Sequence, residues 1–357
     1  MLDSLYMRPR GRALAAKLHR ITGGRIKQAP DWVQEWIDAP TVSIDLRARE
    51  LGAPMEPGPV SDHFFALLGD ETVAEVERRL DGELAELWDA AGESNRRPLA
   101  VALALHYGIP GVAERTGLSA AMPPEGVHSM ARGPAATGGA YGVADYVVEA
   151  LTAAGLELEP GLRILDFGCS SGRVARVLTA AYPELDWHGC DPLAEAVEWA
   201  RDHLDGATFA VSPQDPPLDY DTGYFDAAYA ISVWSHFGQD TAVAWLEEMH
   251  RIIRPGGLLV FTVQGWHTLH RLAIDRAWEK PDVERCAQDL FSRGFSFVDT
   301  FDDERGGDHG LTHPSWGWGL LTPAWLFERL RGSWLVVDFV PGRVEGSQDL
   351  VTIRRLP

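Results

Sequence analysis

Cysteine is scarce in this chain: three thiols, Cys169, Cys190 and Cys286, stand among 357 residues. Their spacing forms no metal-binding pair, and an odd number leaves one over in any disulfide scheme. A disulfide-built or zinc-built fold is therefore excluded, and a reducing, cytoplasmic setting is expected. Cys169 and Cys190 are expected to end neighbouring strands, either as simple packing or as a redox pair. Long apolar runs are also missing, so no transmembrane segment is expected, and the N-terminus lacks the apolar core of a secretion signal. Positive charge is in deficit: 32 Lys and Arg oppose 52 Asp and Glu, a formal net charge of -20. Such a field repels polyanions and excludes free nucleic acid as a partner. The local exception is residues 1–27, where Arg8, Arg10, Arg12, Lys17, Arg20, Arg25 and Lys27 oppose Asp3 alone. With Leu14, Leu18 and Ile21 at helical spacing, this segment suits weak contact with an anionic membrane surface or an acidic partner, or docking on the protein's own acidic body.

What is present is organised around residues 162–178. Arg163-Ile164-Leu165-Asp166-Phe167-Gly168 reads as a buried strand ending in an acid, and Cys169-Ser170-Ser171-Gly172 turns it into a helix beginning near Arg173. Small residues in such a turn let a ligand lie against bare backbone. Asp166, at the strand end, is placed to accept a hydrogen bond from an ammonium or from the turn's own amides. Asp191 follows Gly172 by nineteen residues and closes a second strand, Leu185 to Cys190. An acid there is the usual ligand for ribose hydroxyls in doubly wound sheets. The dinucleotide fingerprint Gly-x-Gly-x-x-Gly fails, because Ser170 and Arg173 stand where its second and third glycines belong.

Asp166-Phe167-Gly168-Cys169-Ser170-Ser171-Gly172 instead resembles the first motif of class I S-adenosylmethionine-dependent methyltransferases, with Ser170 in place of the usual middle glycine. Two further stretches resemble that family in order: Phe225 to Ser232 as its fourth strand, and Arg254-Pro255-Gly256-Gly257 before the apolar strand Leu258 to Val263. The resemblance covers roughly 138–265 and 321–357 and implies an α/β, Rossmann-like seven-stranded sheet with S-adenosylmethionine as cofactor. The implied cofactor residues are Asp166, Gly168, Cys169, Ser170, Gly172, Asp191 and Ser232. Ser212-Pro213-Gln214-Asp215 stands where many relatives carry an acid against adenine, so Gln214 or Asp215 takes that role. Val340 to Val351 looks like bacterial enzymes acting on glycans and secondary metabolites.

Before the domain the pattern is mostly helical. Asp31 caps a helix at 32–37, prolines break the chain at 54–59, one amphipathic helix is expected from Asp70 to Ala91, and another from Arg97 to Tyr107. This divides the chain into a helical region, 1–130, and a methyltransferase domain, 131–357, with an acceptor-side insertion at about 266–320. His128 and Arg132, in the loop between, either reach the cofactor or acceptor or belong to a surface turn.

A sulfonium methyl is already activated, so the enzyme needs chiefly to align acceptor, carbon and sulfur in line. A hydroxyl acceptor also needs a base, and histidine is suited to that role. His236, just after the fourth strand, is the first choice; His267 and His270, after the fifth, are the others. Trp266, Trp316 and Trp318 either stack on a sugar or aromatic acceptor or pack as a lid. No metal is assigned, since the acidic group Asp302, Asp303, Glu304, Asp308, His309 and His313 has the composition of a hydrated loop. The expected activity is O-methylation of a small molecule or glycan; the alternative is a non-catalytic scaffold that binds the cofactor or a partner.

Overall fold

The computed structural model describes residues 58–128, 138–275, 277–299, 315–344 and 346–357. The basic segment 1–27, the helix at 32–37, Arg132 and the acidic group at 302–313 lie outside them. Among the described residues five helices come first: α1 (Pro59–Leu68), α2 (Asp70–Arg79), α3 (Gly82–Ala90), α4 (Glu93–His106) and α5 (Val112–Thr116). Then follow α6 (Gly138–Ala153), β1 (Arg163–Phe167), α7 (Ala175–Ala181), β2 (Asp186–Asp191), α8 (Ala194–His203), β3 (Ala207–Val211), β4 (Phe225–Ala230), α9 (Gln239–Ile252) and β5 (Ile253–Val263). The C-terminal part adds α10 (Trp266–Ile274), α11 (Lys280–Arg293), β6 (Phe295–Asp299), β7 (Gly317–Leu321), α12 (Pro323–Leu330), β8 (Trp334–Val344) and β9 (Gln348–Arg355). Among the described residues no helix is long and apolar enough to cross a membrane.

Seven strands form one sheet in the order β3-β2-β1-β4-β5-β9-β8, and β6 pairs with β7 in a separate hairpin. Strands β1 to β5 are parallel, while β9 runs antiparallel to β5 and β8 antiparallel to β9. The Rossmann-like architecture expected from the motifs is therefore present. The central strands are mostly apolar because both faces are covered. Ile164, Ala227, Tyr229, Leu258 and Val260 join the cluster of α1, α4 and α6, while Leu165, Ala228, Ala230, Leu259 and Phe261 face α9 and α12. The N-terminal helices thus share a core with one face of the sheet.

One buried acid ties that core together. Asp145 on α6 accepts hydrogen bonds from the amides of Val60, at 2.7 Å, and Ser61, at 3.1 Å, and from the Ser61 hydroxyl. It satisfies the first-turn amides of α1, which no preceding turn can reach. Local differences from the sequence reading are few. The single helix expected over 70–91 is two, because Leu80 is extended and Gly82 takes φ of 45°. The helix after the first motif begins at Ala175 rather than near Arg173. Residues 254–257 bulge out of β5, whose register to β4 shifts between Phe225 and Ala227.

Candidate active site

The parallel strands end at one edge of the sheet, and the residues just past each end line a cavity of about 400 Å³. Its first wall is the turn after β1. Gly168 and Gly172 have φ of 83° and 73°. A Cβ on Gly168 would come within 2.4 Å of Val233, and one on Gly172 within 2.5 Å of Leu204, so neither position admits a side chain without movement. Ser170 is also left-handed, at φ of 47°, which explains why glycine is common there and why a serine needs holding. Its amide donates to Asp191 Oδ2 at 2.8 Å, and its hydroxyl lies 2.6 Å from His128 Nδ1.

Two buried acids flank the turn. Asp191, closing β2, takes the Ser170 amide on one oxygen and the Leu193 amide, at 2.9 Å, on the other. Each oxygen keeps a second lone pair for a further donor. Burial raises the Asp191 pKa, and these two amides oppose the shift. Asp166 is buried more completely, and burial pushes its pKa up to about 7. The Tyr229 hydroxyl, on the register neighbour in β4, pulls that value down, yet Asp166 Oδ2 meets hydrogen-bond geometry with nothing among the described residues. The Tyr229 hydroxyl is likewise buried without a partner in hydrogen-bond geometry, so the two groups face each other at the strand ends, beside the cavity that Asp166 lines.

The opposite wall follows β4 and β5. Ser232, at φ of 59°, donates its amide to Thr262 Oγ1 at 2.7 Å and shares a hydrogen bond with the Gln348 side chain. His236 is buried, its ring stacked on Trp316 with centroids 4.7 Å apart. His236 Nδ1 lies 2.9 Å from the Gly317 carbonyl oxygen. A carbonyl only accepts, so Nδ1 carries the proton, and in the neutral ring Nε2 is the nitrogen with the lone pair. Trp316 and Trp318 reach this wall because the strand β7 docks on the loop after β4. The amides of Gly317 and Gly319 each donate at 2.8 Å, to the carbonyls of His236 and Ser235 respectively. Both glycines are necessary for that fit: a Cβ at either position would lie 2.4 Å from a backbone oxygen, of Val298 or of Phe237.

The structure brings Asp166, Gly168, Cys169, Ser170, Asp191, Gln214, Ser232 and His236 to the cavity wall, with Trp316 and Trp318. It does not bring Gly172, Asp215, His267 or His270 there. Gly172 supports the turn from behind, against Leu204 and Phe209. His267 and His270 belong to α10, which starts at once after β5 and packs on β7, β8 and β9. His267 Nδ1 lies 3.5 Å from Asp349 Oδ1. Trp266 packs inside the insertion with Trp278 and Trp318. Cys169 and Cys190 are free, buried thiols raised by desolvation, which suppresses thiolate chemistry. Sequence reasoning missed Arg173, Thr241, Gln264 and Gln348, all on the wall. Only Arg173 carried a signal, following directly on the first motif; the others arrive by tertiary packing.

Residues 164–257 match a family model described as a methyltransferase domain. This stretch is a methyltransferase domain. Solved structures are similar to the chain at low identity. An S-adenosylmethionine-dependent methyltransferase from Mesorhizobium loti is 20% identical, over 58% of this chain and 96% of its own, with a TM-score of 0.39. One from Methanosarcina mazei is 17% identical, over 56% of this chain and 94% of its own, at 0.38. The cyclase SpnF is 17% identical, over 60% of this chain and 80% of its own, at 0.39. At such scores these likenesses carry no argument about the reaction. S-adenosylmethionine, the cofactor implied by the first motif, finds matching chemistry on the wall: the Asp166 carboxyl at the strand end for an ammonium, spare lone pairs on Asp191 for hydroxyls, and a turn of bare backbone between them.

Proposed function

We propose that this methyltransferase methylates a hydroxyl of an uncharged small molecule or glycan, with His236 as the general base. The observation that carries this is the tautomer of His236: Nδ1–H is committed to the Gly317 carbonyl 2.9 Å away, which leaves Nε2 as the basic nitrogen of a ring on the cavity wall. S-adenosylmethionine supplies an activated methyl group on a sulfonium. Asp166 would hold its ammonium, Asp191 its ribose hydroxyls, and Gln214, past β3, its base. At the other wall His236 Nε2 would take the proton of an acceptor hydroxyl whose oxygen replaces sulfur on the methyl carbon, the carbon–sulfur electron pair remaining on sulfur.

The acceptor side favours a neutral molecule. Among the described lining residues it presents His236, Phe237, Thr241, Gln264, Trp316 and Gln348, with neither a carboxylate nor a Lys or Arg. Gln264 Oε1 and Trp316 Nε1 are buried there with no partner among the described residues, one an acceptor and one a donor. Aromatic rings pack equally on phenols and on the apolar face of a sugar. The test is transfer of a labelled methyl group to matched phenols and glycosides by wild type and His236→Gln. Label on hydroxyl oxygen, lost in the variant while cofactor affinity is kept, is the expected result. Label only on nitrogen or carbon acceptors would overturn the reading, and undiminished transfer by the variant would remove His236 as the base.

A further inference from the structure

The last described stretch of the N-terminal region, residues 118–128, runs over α7 and α8 and ends in the cofactor cavity. Ala121 and Val127 pack on the cluster around Trp199 and Phe209. Arg176 on α7 donates to the Ala121 carbonyl at 2.8 Å while its guanidinium lies 5.6 Å from the centre of the Trp199 ring. Arg176 is 7% exposed, and burial lowers its pKa. A cation buried at this cost is being used to hold a loop. At the end of the loop His128 meets Ser170, Nδ1 to Oγ, at 2.6 Å, and both residues line the cavity.

Ser170 occupies a left-handed conformation, φ of 47°, that a residue with a side chain adopts only when its surroundings enforce it. Two contacts do so: its amide on Asp191 Oδ2, at 2.8 Å, and its hydroxyl on His128. A glycine at this position would need neither. We propose that the 118–128 strap completes the cofactor site, with His128 as a positioning residue that holds Ser170 and, through its amide, the orientation of Asp191. The N-terminal region is then part of the cofactor-binding unit, and its contribution is independent of which acceptor is methylated.

The experiment is calorimetric titration of the full chain with S-adenosylhomocysteine for wild type, His128→Ala, Ser170→Ala and the double variant, with melting temperature as the folding control. Alanine at 170 keeps the Cβ and its backbone cost, so it removes only the hydroxyl. Each single change is expected to weaken binding by about three- to tenfold, the worth of one buried hydrogen bond. The double variant is expected to bind no more weakly than the weaker single variant. Wild-type affinity in a folded His128→Ala protein overturns the proposal, as do losses that multiply in the double variant. If His128→Ala fails to fold, Ser170→Ala alone decides: unchanged affinity sinks the proposal, and weakened binding supports it.

Discussion

The two walls of the cavity are built on different principles. On the cofactor wall the polar groups belong to strand ends and their turns, and much of their bonding is to nearby backbone: Asp191 holds the amides of Ser170 and Leu193. The acceptor wall is assembled from parts far apart in the chain. His236 is oriented by Gly317, eighty-one residues away, and Ser232 by Gln348, at a separation of 116. The first wall rests chiefly on strand ends and the turn after β1, braced by His128, and carries charge; the second is aromatic and, among its described residues, has no carboxylate, Lys or Arg. Cofactor binding should therefore be sensitive to single acids and to pH, and methyl transfer to the docking of the β6–β7 hairpin.

The largest effect should come from His236→Gln. Loss of a positioned base lowers kcat by about 10²- to 10⁴-fold. Cofactor affinity should stay at the wild-type value, and a parallel loss of affinity would mean the two walls are not separable. Next, Asp191→Ala should weaken binding of S-adenosylmethionine by about 1.5 to 3 kcal/mol, because it removes charge-assisted hydrogen bonds and frees the Ser170 amide. Calorimetry showing unchanged affinity would refute the ribose assignment.

Asp166 provides a pH test of the same wall. Its pKa is raised to about 7, chiefly by burial, whereas the unfolded value is 3.8. The free folded protein therefore binds this proton more tightly than the unfolded chain. Its contribution to stability falls as pH rises from the unfolded value to about 7 and is level beyond. An ammonium needs the ionised carboxylate, so cofactor affinity should rise with pH by up to about tenfold per unit below 7 and level off above it. Asp166→Asn should abolish that slope; a wild-type profile flat between about pH 5.5 and 8 would show that Asp166 does not meet the ammonium. The smallest effect belongs to Trp316→Leu. Removing its stack on His236 should cost about 0.5 to 1.5 kcal/mol, read as a higher acceptor KM with the cofactor Kd unmoved.

The contrast between the walls also explains what could be read from the sequence. Asp166, Gly168, Ser170 and Asp191 were legible because one strand, one turn and the next strand place them at fixed offsets, and left-handed turns demand glycine or a braced small residue. His236 was legible as the residue just past β4. His267 and His270 occupy the analogous position after β5, but α10 begins immediately and packs on β7, β8 and β9, so their apparent equivalence dissolved in packing. Gln264 and Gln348 carry no local pattern, and their place on the wall depends on how β9 returns beside β5.

The sequence by itself determined the alternation of strand and helix, the strand-end acids and the left-handed turn, because periodicity and steric limits act over a few residues. Tertiary structure alone decided that residues 118–128 reach Ser170, that a Gly-Trp-Gly strand delivers Trp316 and Trp318 to the loop after β4, and that Asp145 caps a helix 85 residues before it. Those contacts depend on where separate elements come to rest once a common core is buried, and no local pattern encodes that.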